Sequence, residues 1–355
     1  MAGDKKYLNP HKLIVFGLKH DIPYAQSIAA QLETKLQENH PSEKRHVILG
    51  SAKYRMFSDG DFKKYQSHSV AGAHVYIVAR CRKDEAHRSN DIFETMQLAY
   101  SLKQGRAKKV SIIFPQMPYA RQDKEKEDRE IVGFSLFVDM MKASQADYVA
   151  TFGIHNPASV AADPLFIKNI QMHGFLTKHI KREFKFDWSK VKVVAPDTNA
   201  ANTAQKYADA LGAAGIVILT KGRSEDGKSE PLEVVGDIKG YHALLIDDMI
   251  DSGGTTTDAG EIMLKQGALS VDAVTVHLIL TRNWKENFDK GVFKRIIGTD
   301  TCIIPNELGE VKGAKVLSVK KMIAGVIHNL HNGESITDFA STEEVVEKEK
   351  SSATA

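Results

Sequence analysis

Residues Leu244 to Thr257 read LLIDDMIDSGGTTT, an apolar run, two adjacent carboxylates and a Gly/Thr-rich turn within fourteen residues. Leu244, Leu245 and Ile246 have the pattern of a strand buried on both faces of a parallel sheet. The residues after them are predicted to lie at the strand's carboxyl end, where open α/β sheets bind their ligands. Gly253 and Gly254 let the backbone approach closely. Main-chain N–H groups there, with the hydroxyls of Ser252, Thr255 and Thr256, can converge on a phosphate where the next helix begins. Asp247 and Asp248 do not favour that phosphate, but carboxylates accept hydrogen bonds from vicinal hydroxyls or hold a divalent metal. The segment therefore suits a sugar phosphate. The competing reading is an ordinary strand, acidic turn and helix.

Further strands alternate with helical patterns on both sides of this segment. KLIVFG, HVYIVA, VSIIFP and YVATFG precede it in one half, and VKVVAP, GIVILT, ALLIDD and VTVHLIL make up the other. Strands separated by amphipathic helices imply parallel βαβ units. A chain of 355 residues has room for two such domains. The turn-rich stretch Asn156 to Pro164 puts their boundary near residue 165, giving an N-terminal domain over 12–165 and a C-terminal domain over 166–340. The halves read as a duplicated architecture, with the helix after VSIIFP, Ile131 to Ala143, matched by one over Thr257 to Gln266. The tail 341–355, STEEVVEKEKSSATA, is charged and then small and polar, and is expected to be disordered.

Bulk properties exclude more than they assign. The 48 basic and 45 acidic residues leave a formal charge of +3, too balanced to imply nucleic-acid binding. Two cysteines, Cys81 and Cys302, cannot form a disulfide framework, which points to a reducing compartment. No run of eighteen apolar residues exists, and MAGDKKYLNP at the start lacks a signal-peptide core. The expectation is a cytoplasmic protein without a membrane partner.

Other motifs come directly after predicted strands. Arg121 and Gln122 lie in PYARQDKEKEDR after SIIFP, where an arginine can take a phosphate or stack on a base; a solvated charged loop is the other reading. His155 ends YVATFGIH, and a lone histidine is more often structural than catalytic. Asp197, in VVAPDTNAAN, is placed to meet Mg²⁺ through one carboxylate or to cap a helix. Lys221 and Arg223 open KGRSEDG, whose glycines mark a mobile loop, or merely an exposed basic turn. Two cations on a closing loop can stabilise charge developing on phosphate oxygens. In FSDGD, Phe57 can stack on a base while Asp59 and Asp61 accept from its amino group; a hairpin turn is equally compatible.

Leu244 to Thr257 resembles the phosphoribosyl pyrophosphate loop shared by type I phosphoribosyltransferases and ribose-phosphate diphosphokinases. PYARQDKEKEDR resembles the ATP-site signature of the diphosphokinases alone, and TFGIH, VVAPD, TKGR and HNGES (His331 to Ser335) come after it in collinear order, so that the resemblance covers about residues 12 to 340. It implies two type I phosphoribosyltransferase-like α/β domains, each a mostly parallel sheet flanked by helices. It also implies transfer of the diphosphoryl group of ATP to ribose 5-phosphate. On this resemblance Phe57, Asp59, Asp61, Arg121 and Gln122 meet ATP, with the FSDGD segment reaching a neighbouring subunit of a homo-oligomer. Asp247, Asp248 and Asp251 to Thr256 hold ribose 5-phosphate. His155 and Asp197 serve Mg²⁺, and Lys221, Arg223 and His155 are catalytic.

The chain departs from the family at three places. Gly153 stands where an aspartate is usual, Asn199 to Thr203 replace paired glycines and basic residues, and Leu278 stands where a glycine is usual. These departures support a rival, a catalytically silent regulatory subunit. A phosphoribosyltransferase is the second rival, and it leaves PYARQDK and FSDGD unexplained.

Overall fold

In the computed structural model, residues 12–39, 47–59, 61–125, 127–160, 163–221 and 232–336 are described. The segment 222–231, which carries Arg223, and the tail 341–355 lie outside them. The chain forms two compact units, one running to Gln171 and resuming at Val319, the other Met172 to Ser318.

The first unit alternates strands and helices: β1 (Leu13–Gly17), α1 (Ile22–Asn39), β2 (Val47–Leu49), β3 (Ala52–Met56), β4 (Phe62–Gln66), β5 (His74–Val78), α2 (Glu85–Gln104), β6 (Lys109–Phe114), α3 (Gly133–Ala143), β7 (Tyr148–Phe152), α4 (Pro157–Val160) and β8 (Ile167–Ile170). Its main sheet has the order β2-β1-β5-β6-β7-β8, parallel throughout, while β3 and β4 form a separate antiparallel hairpin. Ile14, Val75 and Val110 share a row across three strands, and with Phe16, Ile77, Ile112 and Phe114 they build a core of buried side chains on one face. The residues between them, Val15, Tyr76 and Ile113, are buried as well. Both faces are covered, which is why these strands read as continuous apolar runs.

The second unit contains α5 (His173–Glu183), β9 (Val191–Ala195), α6 (Ala201–Leu211), β10 (Ile216–Lys221), β11 (Leu232–Val235), β12 (His242–Ile250), α7 (Gly254–Lys265), β13 (Ser270–Leu278), α8 (Trp284–Asp289), β14 (Arg295–Thr299) and β15 (Ala314–Leu317). The strand order is β11-β10-β9-β12-β13-β14-β15, parallel except at the β10–β11 edge. The helix α9 (Lys320–Asn332) closes the chain's described part.

Two differences from the sequence reading concern connectivity. β8 pairs with β7, so the first unit runs to Gln171 rather than to 165, and α9 packs on α1, so the residues after Val319 join the first unit rather than the second. Within that unit Asn39 contacts His328 at 3.0 Å and the rings of His74 and His331 meet at 5.1 Å. The expected match between the helix after VSIIFP and the one after the Gly/Thr turn also shifts. β6 lies one strand beyond the reversal of strand order in its sheet, whereas β12 lies at the reversal, so α7 occupies the place of α2 and α3 that of α8.

Phe137, on the buried face of α3, packs edge-on against Phe114 at 5.7 Å and against Tyr119 of the preceding loop at 5.8 Å. Phe137→Ala removes a buried aromatic from a contact that also seats Tyr119. It is expected to destabilise the first unit by about 3–5 kcal/mol in denaturant unfolding.

Candidate active site

In the second sheet the strand order reverses between β9 and β12, the crevice where open α/β sheets take ligands. Asp247 and Asp248 stand there, but on the strand itself rather than in a turn beyond it. β12 pairs with β13 as far as Ile250 opposite Leu278, whereas its pairing with β9 stops at Leu245 opposite Val194. Both carboxylates therefore lie on a stretch of strand whose β9 neighbour has ended, and both are half-buried. The Asp248 N–H donates to Asp247 Oδ1 at 2.8 Å. Burial, the adjacent Asp248 carboxyl and the charge of Asp197 together raise the pKa of Asp247 well above the usual carboxylate range. Asp197, exposed beyond the end of β9, thus lies within electrostatic reach of the pair. Its Oδ1 accepts from the Ala200 N–H at 2.9 Å, so one oxygen caps the turn into α6, and Asn199 to Thr203 form that turn and the first residues of the helix.

The turn after β12 is shaped by Gly253, whose φ of 77° lies in the left-handed region, and α7 starts at Gly254. Ser252 Oγ accepts from the Gly254 N–H at 3.5 Å, Thr255 is exposed and Thr256 is buried. The first N–H groups of a helix have no intrahelical partners, and no acidic residue stands in the first turn of α7, which leaves this end suited to an anion. Asp251 accepts from the hydroxyl of Thr281, and its carbonyl accepts from the Thr281 N–H at 3.2 Å, tying the turn to the loop after β13. A Cβ at Gly253 would come within 2.8 Å of the Phe288 ring. Gly253→Ala combines that contact with a backbone conformation costly for alanine. It is expected to weaken sugar-phosphate binding about 5- to 150-fold, measured by calorimetry.

Lys221 ends β10 at the same carboxyl edge of the sheet, two strands from β12, and is paired in register with Leu232 of the antiparallel β11. The chain between them, with Arg223, is outside the described residues.

The carboxyl edge of the first sheet carries the other candidates. Arg121 and Gln122 lie between β6 and α3, in a loop pinned by buried Met117 and Ala120. The Gln122 N–H donates to the Tyr119 carbonyl at 2.9 Å, and the Gln122 carbonyl accepts from the Phe134 N–H at 3.0 Å. The Gln122 side chain lies over Gly133, where a Cβ would be 2.3 Å from Oε1. His155, exposed, comes after the neighbouring strand β7. The turn that presents it is held twice, by Gly153 N–H to the Ile170 carbonyl at 2.9 Å and by Ile154 N–H to Asn169 Oδ1 at 3.0 Å. Asn156 Nδ2 donates to Asp123 Oδ2 at 2.6 Å, so the loops bearing Arg121 and His155 are fastened to each other. Gly153 has φ 54°, in the left-handed region that favours glycine.

Phe57 to Asp61 cap the β3–β4 hairpin: the Phe57 N–H donates to the Asp61 carbonyl at 2.7 Å and the Asp61 N–H to Asp59 Oδ1 at 3.1 Å. Phe57 is exposed, with Arg55 and Lys63 over its ring at 5.3 and 5.8 Å. Sequence reasoning missed Asn169, Asn156 and Asn287. Asn156 also caps its own turn, accepting from the Ala158 N–H at 3.0 Å, but the bonds of Asn156 to Asp123, Asn169 to Ile154 and Asn287 to Ser252 reach segments distant in sequence. Sequence reasoning also overread Leu278, which is fully buried against Gly298 of β14, where a Cβ would come within 2.4 Å of its Cγ. That departure is a matter of core packing.

Among the described residues no group of three or more His, Cys, Asp or Glu side chains is arranged to hold a metal ion, and no helix is long and apolar enough to cross a membrane.

Comparison with known proteins gives a consistent picture. Residues 13–144 match the N-terminal domain of ribose phosphate pyrophosphokinase, and residues 223–340 match the phosphoribosyl synthetase-associated domain. Ribose-phosphate pyrophosphokinase of Oceanobacillus iheyensis is 30% identical, over 92% of this chain and 96% of its own length. That of Campylobacter jejuni is 30% identical over 82% of this chain and 91% of its own. The crystal structure of phosphoribosylpyrophosphate synthetase from Mycobacterium smegmatis superimposes with a TM-score of 0.80 at 25% identity, covering 91% of this chain and 99% of that one.

Proposed function

The chain belongs to the ribose-phosphate pyrophosphokinase family, and from that premise we infer that it transfers the diphosphoryl group of ATP to the anomeric hydroxyl of ribose 5-phosphate, giving phosphoribosyl pyrophosphate and AMP. The pairing of two half-buried carboxylates with a Gly253-shaped helix start supports the sugar-phosphate half of this reading, and the observation that carries the diphosphokinase half is the match of residues 13–144 to the N-terminal domain of ribose phosphate pyrophosphokinase.

In this reading Asp247 and Asp248 accept hydrogen bonds from the ribose hydroxyls, and the N–H groups and hydroxyls from Asp251 to Thr256 take the 5-phosphate. Arg121 and Gln122 hold ATP, with Phe57, Asp59 and Asp61 supplied by a neighbouring copy of the chain in a homo-oligomer. His155 lies beside the phosphates, and Lys221 with Arg223 meets the charge that develops as the diphosphoryl group moves. No covalent intermediate is needed, because positioning and electrostatics are enough for direct in-line attack by the sugar hydroxyl.

Mg²⁺ is the proposed cofactor, with Asp197 as a candidate ligand in the second unit and His155 as one in the first. The donor set fits. Asp197 is exposed beyond the end of β9, and Mg²⁺ takes one or two protein carboxylates and draws its other ligands from water and substrate phosphates. When bound, it neutralises charge on the transferring phosphates. Cytoplasmic location is part of the same proposal, as a metabolic enzyme without disulfide-forming cysteine pairs.

The test is incubation of the protein with ribose 5-phosphate, ATP and Mg²⁺, with AMP and phosphoribosyl pyrophosphate measured over time. Equimolar formation of both is expected. Binding of both substrates without either product would instead favour the silent regulatory subunit, although the departures at Gly153 and Leu278 are absorbed by backbone and core. A reaction that depends on an added nucleobase and releases pyrophosphate would favour a phosphoribosyltransferase.

A further inference from the structure

The bonds within the phosphate turn leave one of its peptides, that between Ser252 and Gly253, to be fixed from outside. A glycine at φ 77° meets the steric demand of the turn, but glycine tolerates either sign of φ. The peptide joining Ser252 to Gly253 can therefore rotate between two orientations at little steric cost. Only one of them turns the Gly253 N–H toward an anion at the start of α7.

The short helix α8 sets that orientation. Asn287, 7% exposed, donates through Nδ2 to the Ser252 carbonyl at 2.9 Å. No peptide in the described chain is cis. In a trans peptide the carbonyl and the N–H point in opposite directions, so a carbonyl drawn toward α8 directs the Gly253 N–H away from it. The backbone carbonyl of Asn287 also accepts from the Thr257 hydroxyl at 3.5 Å, and the next residue, Phe288, closes off the Gly253 Cα. Phe288 packs edge-on against Trp284 of the same helix at 5.9 Å and against Phe293 beyond it at 6.2 Å. Two adjacent residues of one helical turn thus grip the turn from behind, one by a hydrogen bond and one by shape.

We propose that Asn287 is a positioning residue, which locks the Ser252–Gly253 peptide with its N–H aimed at the 5-phosphate of the sugar substrate. The proposal rests on the reading of Asp251 to Thr256 as the phosphate turn. Asn287 itself does not touch the substrate in this account. It removes the alternative peptide orientation from the free protein, so that the substrate does not have to select against it.

The experiment compares wild type with Asn287→Leu, which keeps the branched shape and adds no charge, and with Asn287→Ala, which relieves any overpacking. Dissociation constants for ribose 5-phosphate and for ATP are measured by calorimetry, and KM and kcat by product formation. Both variants are expected to bind ribose 5-phosphate about ten- to a hundredfold more weakly, the range for a buried carbonyl losing its donor. ATP affinity and kcat at saturating sugar phosphate should stay within about threefold of wild type, a split that general destabilisation would not produce. Wild-type affinity for ribose 5-phosphate in either folded variant overturns the proposal, as does an equal loss of ATP and sugar-phosphate binding. Wild-type protein that binds no ribose 5-phosphate refutes the reading of the turn itself, a separate result.

Discussion

Asp247→Asn is expected to lower phosphoribosyl pyrophosphate formation by about a hundredfold or more while raising the melting temperature of the free protein at neutral pH. The two effects have one origin. Asp247 is half-buried beside Asp248 and within reach of the Asp197 charge, so its ionised form is less favourable in the folded chain than in the unfolded one. The folded carboxyl keeps its proton to a higher pH. Between the ordinary unfolded carboxylate value of about 3.9 and the raised folded one, the native state binds more protons, and stability falls as pH rises. Above the folded value the whole penalty is present. Below about pH 4 the carboxyl is protonated in both states and the penalty is gone. Asparagine keeps the shape without the charge, so its stabilising effect should grow as pH rises from the unfolded value and vanish toward about pH 4. Melting curves of both proteins across that range test this. Equal melting temperatures at neutral pH, or a difference that persists in acid, would show that Asp247 does not carry the strain described. The cost is tolerated because a charged acceptor binds a hydroxyl more strongly than an amide oxygen does.

Lys221→Ala is expected to reduce kcat by about a hundred- to a thousandfold with little change in the affinity for ribose 5-phosphate. Lys221 ends β10 at the carboxyl edge that also carries Asp247 and the phosphate turn, where a point charge can meet developing negative charge on the diphosphoryl oxygens. An interaction made mainly in the transition state lowers kcat and kcat/KM together and leaves ground-state binding alone. Lys221→Arg is not expected to restore full activity, because a planar fork does not replace a compact ammonium. Steady-state kinetics decide the matter: a large rise in KM with unchanged kcat would make Lys221 a binding residue, and wild-type kinetics would remove it from the site.

Much of this molecule is legible in its residues alone. The eight long apolar runs are all strands, because a strand buried on both faces must be apolar throughout. β2, β8, β11 and β15 were not foreseen. They are three or four residues long and stand at sheet edges, where apolar patterning is weakest. β14, RIIGT, was hidden by its arginine, which pairs with the fully buried Asp272 at 2.7 Å, so a charge in sequence became a neutralised pair in the fold. Gly253 was legible as a residue of special backbone freedom, since φ 77° favours glycine.

By itself the sequence determined the α/β class and the identity of the long strands, because apolar periodicity is a property of a few consecutive residues. Only the tertiary structure decided that β9 rather than another strand lies beside β12, bringing the charge of Asp197 to bear on Asp247. It alone returned α9 to α1, fastened Asn156 to Asp123, and set Asn287 behind the phosphate turn thirty-five residues away. The physical reason is that strand neighbours and hydrogen-bond partners are chosen by the burial of whole faces and by the pairing of buried polar groups. Neither leaves a mark at any fixed spacing along the chain.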